Sequence, residues 1–120
     1  MIKEYHFGSI TINGKAYNHD VEVRWTGEVL KWQIRIKHEI NIKEIERAVE
    51  QKPDTIVIGN GAAGLAEVTK ACQEFIQGLG IKLIIDKTGE AVKTFNVINE
   101  ESKEEEGKQN MVIGLFHLTC

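Results

Sequence analysis

Ile56-Val57-Ile58-Gly59-Asn60-Gly61-Ala62-Ala63-Gly64 decides how the rest of this chain is read. An apolar, largely β-branched run feeds a G-x-G-x-x-G turn, and the residues that follow carry a helical pattern. Such a turn can set backbone N–H groups and the positive end of a helix dipole against a phosphate. In dinucleotide-binding folds an acidic residue on the next strand then holds the ribose hydroxyls, about 20 residues beyond the loop. Asp86 ends the next strand, 22 residues after Gly64. The surroundings weigh against a dinucleotide. The loop lies in mid-chain, only one further βα unit and a strand follow it, and no room remains for a catalytic domain. The favoured expectation is a tight turn in which glycines supply positive φ and close packing, with an anion or nucleotide-phosphate site as the alternative.

Outward from the loop the hydrophobic period changes twice. Upstream, Ile42, Ile45, Ala48 and Val49 repeat at helical spacing, with Asn41 as N-cap and Glu44 at the N3 position. Pro53 ends that helix, and residues 55–58 form a strand. Downstream, 68–78 reads as a second helix closed by Gly78 and Gly80. A strand follows over 81–86, and a third helix capped by Thr88 carries Ala91, Val92, Phe95 and Ile98 on one face. Residues 111–120, apolar on both faces, read as a central strand whose direction the sequence leaves open. The strand before the second helix and the one after it are expected to be parallel. The first 36 residues read as an antiparallel β meander with one wet face, turning at Asn13-Gly14 and at Thr26-Gly27-Glu28. Residues 1–120 are expected to form a single α/β domain.

With 42% hydrophobic residues the chain can bury a core without disulfides or metal. A net charge of −3 and a pI near 5.8 carry no basic footprint for nucleic acid. The negative excess is local: Glu100-Glu101-Ser102-Lys103-Glu104-Glu105-Glu106-Gly107-Lys108 holds five acids and two lysines, and reads as a solvated helix end and loop. No apolar stretch approaches a membrane span, so no membrane insertion is expected. The start lacks the apolar core of a signal peptide. Cys72 and Cys120 have no C-x-x-C partner and read as free thiols in the cytoplasm.

Residues that could carry chemistry are few. In Phe116-His117-Leu118-Thr119-Cys120 the thiol and imidazole invite a nucleophilic pair. In an extended strand, however, residues 117 and 120 point to opposite faces, and a carboxylate on Cys120 itself would disfavour the thiolate. A core histidine and a packing cysteine are the expectation. His6, His19 and His38 have no partner at zinc-ligand spacing, so no metal is expected. Trp25 and Trp32 read as core or sheet-face packing rather than a binding platform. If the glycine turn does hold a ligand, Gly59, Asn60, Gly61 and Gly64 form its rim and Thr88, Glu90, Asn96 and His117 its polar walls. His117 is then the acid–base candidate, since imidazole alone has an ordinary pKa near neutrality. A Gly61→Val substitution would then abolish binding in a protein that stays folded.

Taken together the residues resemble the Mth938-domain family nearly from end to end. Phe7-Gly8-Ser9-Ile10, Ile12-Asn13-Gly14, Tyr17 and Asp20-Val21 are similar to its opening strands, and Trp32, Arg35 and His38 to its middle. Ile58-Gly59-Asn60-Gly61 is similar to its glycine turn, Thr88-Gly89-Glu90-Ala91-Val92-Lys93 with Phe95-Asn96 to its last helix, and His117-Leu118-Thr119-Cys120 to its ending. The resemblance implies a three-layer α/β fold: a mixed central sheet, helices against it and an accessory β layer. It implies little chemistry, since the family has no established enzymatic activity, and no cofactor is expected. Eukaryotic relatives are linked to respiratory complex I assembly and adipocyte differentiation, so an assembly or interaction role is the nearest analogy. The expectation is a non-catalytic protein acting through protein partners or self-association. A small-ligand or anion-binding protein, with weak enzymatic activity at most, is the alternative.

Overall fold

Ile56, Val57 and Ile58 are all fully buried, and strand alternation sends them to opposite faces of one sheet. Ile56 and Ile58 join one apolar cluster and Val57 another, so the strand has a packed layer on each side. The computed structural model describes residues 1–104 and 109–120. In chain order the elements are β1 (Ile2–His6), β2 (Ser9–Ile12), β3 (Lys15–Tyr17), β4 (Val21–Arg24), β5 (Val29–Lys31), β6 (Glu39–Ile40), α1 (Ile42–Glu50), β7 (Thr55–Asn60), β8 (Glu67–Val68), α2 (Lys70–Gly78), β9 (Lys82–Asp86), α3 (Thr88–Glu104) and β10 (Val112–His117). Of the acidic run 100–108, residues 105–108 lie outside the described residues.

The main sheet has the order β5-β4-β10-β7-β9. The strand apolar on both faces, β10, is central: it runs parallel to β7 and antiparallel to β4. β7 is also parallel to β9, as expected for the first crossover. Helices α1 and α2 cover one face through Ile45, Ala48, Cys72 and Ile76. The other face is covered by α3 (Ala91, Val92, Phe95) and by the separate sheet β1-β2-β3 (Ile2, Ile10, Ile12). The result is the mixed α/β, three-layer fold with an accessory antiparallel sheet.

Local chemistry accounts for most of the boundaries. Asn41, in extended backbone, precedes α1, and its N–H donates to Glu44 Oε1 at 2.9 Å. Asn13 and Gly14 both have positive φ (50° and 82°), the pattern of a tight hairpin turn between β2 and β3. Gly114 has no side chain because the Phe116 ring folds back over it, edge-on to Phe95 at 5.9 Å between centroids, and a Cβ there would overlap that ring. Glu22, 1% exposed, lies on the opposite face of β4 from Val21 and Val23 and is held by Arg24 (2.8 Å) and Arg47 (3.1 Å). A buried carboxylate persists only when paired in this way.

Several boundaries differ from the sequence-based expectation. The strand expected over 55–58 runs on to Asn60, because Gly59 and Asn60 pair with Phe116 and His117, and the strand expected over 81–86 starts at Lys82. In three further places a tertiary contact overrides the local pattern. The N-terminal meander is split: β1–β3 stand apart, whereas β4 and β5 belong to the main sheet. The second helix starts at Lys70 because Glu67 and Val68 pair as a short parallel strand with Glu39 and Ile40. The last strand stops at His117, and residues 118–120 leave the sheet.

Candidate functional site

The glycine turn spends its donors inside the chain. Gly61 N–H donates to Thr88 Oγ1 (2.9 Å), Ala62 N–H to the Thr119 carbonyl (2.6 Å) and Leu65 N–H to the Cys120 carbonyl (3.2 Å). Gly64 and Ala66 donate to the carbonyls of Gly61 and Asn60. The helix that follows does not point at the loop, and the one whose N-terminus meets it, α3, spends Thr88 N–H on the Gly61 carbonyl (3.0 Å). Helix α2 begins at Lys70 and is capped by Thr69, whose Oγ1 accepts from Cys72 N–H. Asp86, placed where a ribose would need it, instead accepts from Lys87 N–H at the entrance to α3. The three glycines answer to close approach. A Cβ on Gly59 would lie 2.9 Å from Thr88, one on Gly64 would lie 3.2 Å from the Lys87 side chain, and one on Gly61 (φ +108°) would overlap the Cys120 carbonyl.

Of the residues singled out around the turn, Gly59, Asn60, Gly61, Gly64, Thr88 and His117 come together. Thr88, fully buried, ties α3 to both strands by donating to the His117 carbonyl at 2.6 Å while accepting from Gly61. Asn60 is opposite His117 in the β7–β10 ladder, and its Nδ2 reaches the Gly64 carbonyl at 3.5 Å. Glu90 and Asn96 are elsewhere, because α3 carries them away from the turn toward β1. Asn96 accepts from Ile2 N–H (3.1 Å) and donates to its carbonyl (2.7 Å), imitating a neighbouring strand. Glu90 pairs with Lys93 at the surface, and both acidic and amide side chains border a separate recess beside β1.

The feature with chemistry lies on the far side of the segment that the turn clamps. A cavity of about 280 Å³ is lined by Asp20, Ile34, Arg35, Lys37, His38, His117, Thr119 and Cys120. It sits at the carboxyl end of β10, where antiparallel β4 begins, so Asp20 just before β4 meets His117 at the end of β10. The Asp20 carboxylate is shared: Oδ1 accepts from Leu118 N–H (2.8 Å), and Oδ2 lies 2.7 Å from His117 Nδ1. An ionised carboxylate only accepts, so Nδ1 carries the proton and Nε2, 3.5 Å from Thr119 Oγ1, is the nitrogen left for the cavity. Both side chains are largely buried.

Cys120 lines the same cavity as His117, contrary to the opposite-face expectation, because β10 ends at 117 and the alternation ends with it. The imidazole nearest its thiol is that of His38, with Nε2 at 3.8 Å and Nδ1 at 3.9 Å from Sγ. His38 is set there by a tight turn, closed by Glu39 N–H donating to the Ile36 carbonyl, in which it takes φ +62°. Arg35 is anchored by Nε to Glu44 Oε2 (3.0 Å), a carboxylate 2% exposed, while Nη1 and Nη2 make no hydrogen bond among the described residues. Arg35 and Lys37 bring two cationic side chains to the cavity, one already paired with Glu44, beside the carboxylate of Asp20. Tyr5, whose hydroxyl donates to the Leu118 carbonyl, titrates above its ordinary value through burial and then through Asp20. The other thiol, Cys72, is sealed in the core; burial, then Glu44, push it up to about 11.

Among the described residues no group of three or more His, Cys, Asp or Glu side chains is placed to hold a metal ion, and no helix is long and apolar enough to cross a membrane. Trp32 is core, as expected, with Nε1–H donating to the Glu44 carbonyl at 2.7 Å. Residue types and spacing alone missed Asp20, Arg35, Lys37, His38 and Thr119 as site residues. Asp20 is 97 positions from His117 and His38 is 82 from Cys120, so no local motif joins them. The signal for Asp20, Arg35, His38 and Thr119 was their presence among the residues that carry the family resemblance; Lys37 had none.

Solved structures share this architecture along nearly the whole chain. The conserved hypothetical protein PH1505 of Pyrococcus horikoshii OT3 is 23% identical with a TM-score of 0.80, over 100% of this chain and 99% of its own. The protein MT938 is 26% identical with a TM-score of 0.79, over 100% and 98%. An outer membrane protein of Bartonella henselae, 18% identical with a TM-score of 0.80 over 99% and 94%, shares the fold. The profile of the family described as proteins of unknown function (DUF498/DUF598) matches residues 2–106, and the chain belongs to that family of Mth938-like proteins.

Proposed function

We propose that the protein binds a small anionic molecule in the cavity at the carboxyl end of β10. One observation carries this: Arg35, Lys37, His38 and His117 converge there, two of them held in place by carboxylates, Glu44 and Asp20. Arg35 and Lys37 supply the charge, and polar groups whose orientation is fixed in advance cost little to order when a ligand arrives. About 280 Å³ is at the small end of ligand sites, suited to a metabolite-sized acid or phosphate and too small for a dinucleotide. Residues 1–120 act as one domain here, since β4 and β10 are both needed to form the cavity. Two free thiols fit a reducing cytoplasm.

Titration of the folded protein with inorganic phosphate or malonate, followed by the ¹⁵N and ¹H resonances of the imidazoles, tests it. His38 and His117 are expected to shift saturably while His6, exposed on β1, does not. Arg35→Ala is expected to weaken binding about tenfold, equivalent to roughly 1.4 kcal/mol. Unmoved His38 and His117 resonances would overturn the proposal.

Action through partners or self-association has one specific observation in its favour. Phe7 and Leu65, 69% and 61% exposed, flank segment 118–120 on two sides, next to Gly8 N–H on the Leu118 carbonyl and through Leu65 N–H on that of Cys120. Exposed apolar side chains that form one contiguous patch are a frequent mark of contact surfaces.

A further inference from the structure

We infer that Cys120 is a thiol–disulfide exchange site, at which the protein forms a reversible mixed disulfide with a small anionic disulfide held in the cavity. Four features converge. Cys120 is half-buried and lines an open recess, so a small reagent can reach it. His38 places both imidazole nitrogens within 4 Å of Sγ, so that a rotation of the ring brings its unprotonated nitrogen onto the thiol proton. His38 is presented from a left-handed turn that few side chains adopt readily. Arg35 and Lys37 border the same space and favour a negatively charged partner; this preference rests on the anion-binding reading above, whereas the thiol step does not.

In the step itself the Cys120 proton passes to His38, and the sulfur electron pair attacks one sulfur of the incoming disulfide. A bond forms between Sγ and that sulfur as the original S–S bond breaks. The departing thiolate takes up the proton from His38 and leaves as a thiol. Cys120 is oxidised and half of the incoming disulfide is reduced, so no further electron carrier is needed. Attack by a thiol on the mixed disulfide reverses the step.

The test uses the whole protein and three disulfides of similar size: neutral bis(2-hydroxyethyl) disulfide, anionic dithiodiglycolate and cationic cystamine, with intact mass and peptide mapping as readouts. Cys120 is expected to react with the neutral disulfide on the order of tenfold faster in the native protein than in urea. Cys72 is expected to react only in urea. His38→Asn keeps a residue tolerant of the left-handed turn while removing the base, and should return Cys120 to the urea rate. Native Cys120 reacting no faster than in urea, or indifferent to His38→Asn, would overturn the inference. The anionic reagent should outpace the cationic one, and Arg35→Ala with Lys37→Ala should erase the difference. Equal rates in the wild-type protein, with the His38 effect intact, would support the thiol step and overturn the anion preference.

Discussion

Gly61→Val is expected to cost about 4 kcal/mol of stability, the combination of roughly 1–3 for a side chain at strained positive φ and roughly 1–3 for overpacking. At φ +108° its Cβ would fall on the Cys120 carbonyl, and that of Thr119 is only 3.0 Å away. Both carbonyls are also acceptors for the turn, from Leu65 and Ala62 N–H, so segment 118–120 would have to move and lose these bonds. Against a typical 5–15 kcal/mol for a whole domain this is a large fraction. Urea unfolding should show the midpoint falling accordingly, while Gly78→Ala, with open space around its Cβ, should shift stability by no more than about 0.5 kcal/mol. Read from sequence, the same valine would have tested ligand binding in a protein that stays folded. The contacts of Gly61 make it a test of folding instead. Equal midpoints for Gly61→Val and the wild-type protein would contradict the clamp.

Asp20→Asn should leave the fold intact and damage the cavity. The side-chain oxygen can still accept from Leu118 N–H, so segment 118–120 keeps its anchor. The amide cannot accept from His117 Nδ1–H as the carboxylate does, so the imidazole must switch tautomer and place its proton on Nε2. The nitrogen facing Thr119 then donates where it had been free to accept. Imidazole ¹⁵N shifts should show the switch at His117. With Nδ1 held as an acceptor by the amide, the ring can no longer meet the anion as an imidazolium donating from both nitrogens, and phosphate affinity should fall about tenfold, as for the loss of one charge-assisted hydrogen bond. Asp20→Ala goes further. It strands Leu118 N–H and should cost about 2 kcal/mol as well. An unchanged His117 tautomer in Asp20→Asn would show that the carboxylate does not orient the ring.

Much of the fold was legible because local chemistry and tertiary structure agree. Asn41 and Glu44 start α1 as their types predict, Asn13-Gly14 makes its hairpin, and the two-faced apolar runs of β7 and β10 lie side by side at the centre of the sheet. The elements that escaped are those decided by distant partners. Val68 reads as the start of the second helix, but β6 captures it, with Glu67, as a strand. Segment 118–120 continues an apolar strand pattern, but Asp20, Tyr5, Gly8 and the glycine turn pull its backbone out of the sheet. The site was harder still. The glycine motif gave the right neighbourhood and the wrong chemistry, because the form of a turn does not say what fills it, and here the chain's own carbonyls do. His117 was the one polar wall residue that also lines the cavity. Asp20, Arg35 and His38 become site residues only through the ends at which β4 and β10 meet.

Native mass spectrometry of gently purified protein, repeated on the same sample after denaturation, tests the anion-binding cavity most directly. The wild-type chain should carry an added small mass that is released on denaturation and identified as an acid or phosphate. Arg35→Ala with Lys37→Ala should appear bare. A wild-type chain that is bare, whether as monomer or oligomer, would contradict the proposed ligand site and turn attention to the exposed Phe7 and Leu65.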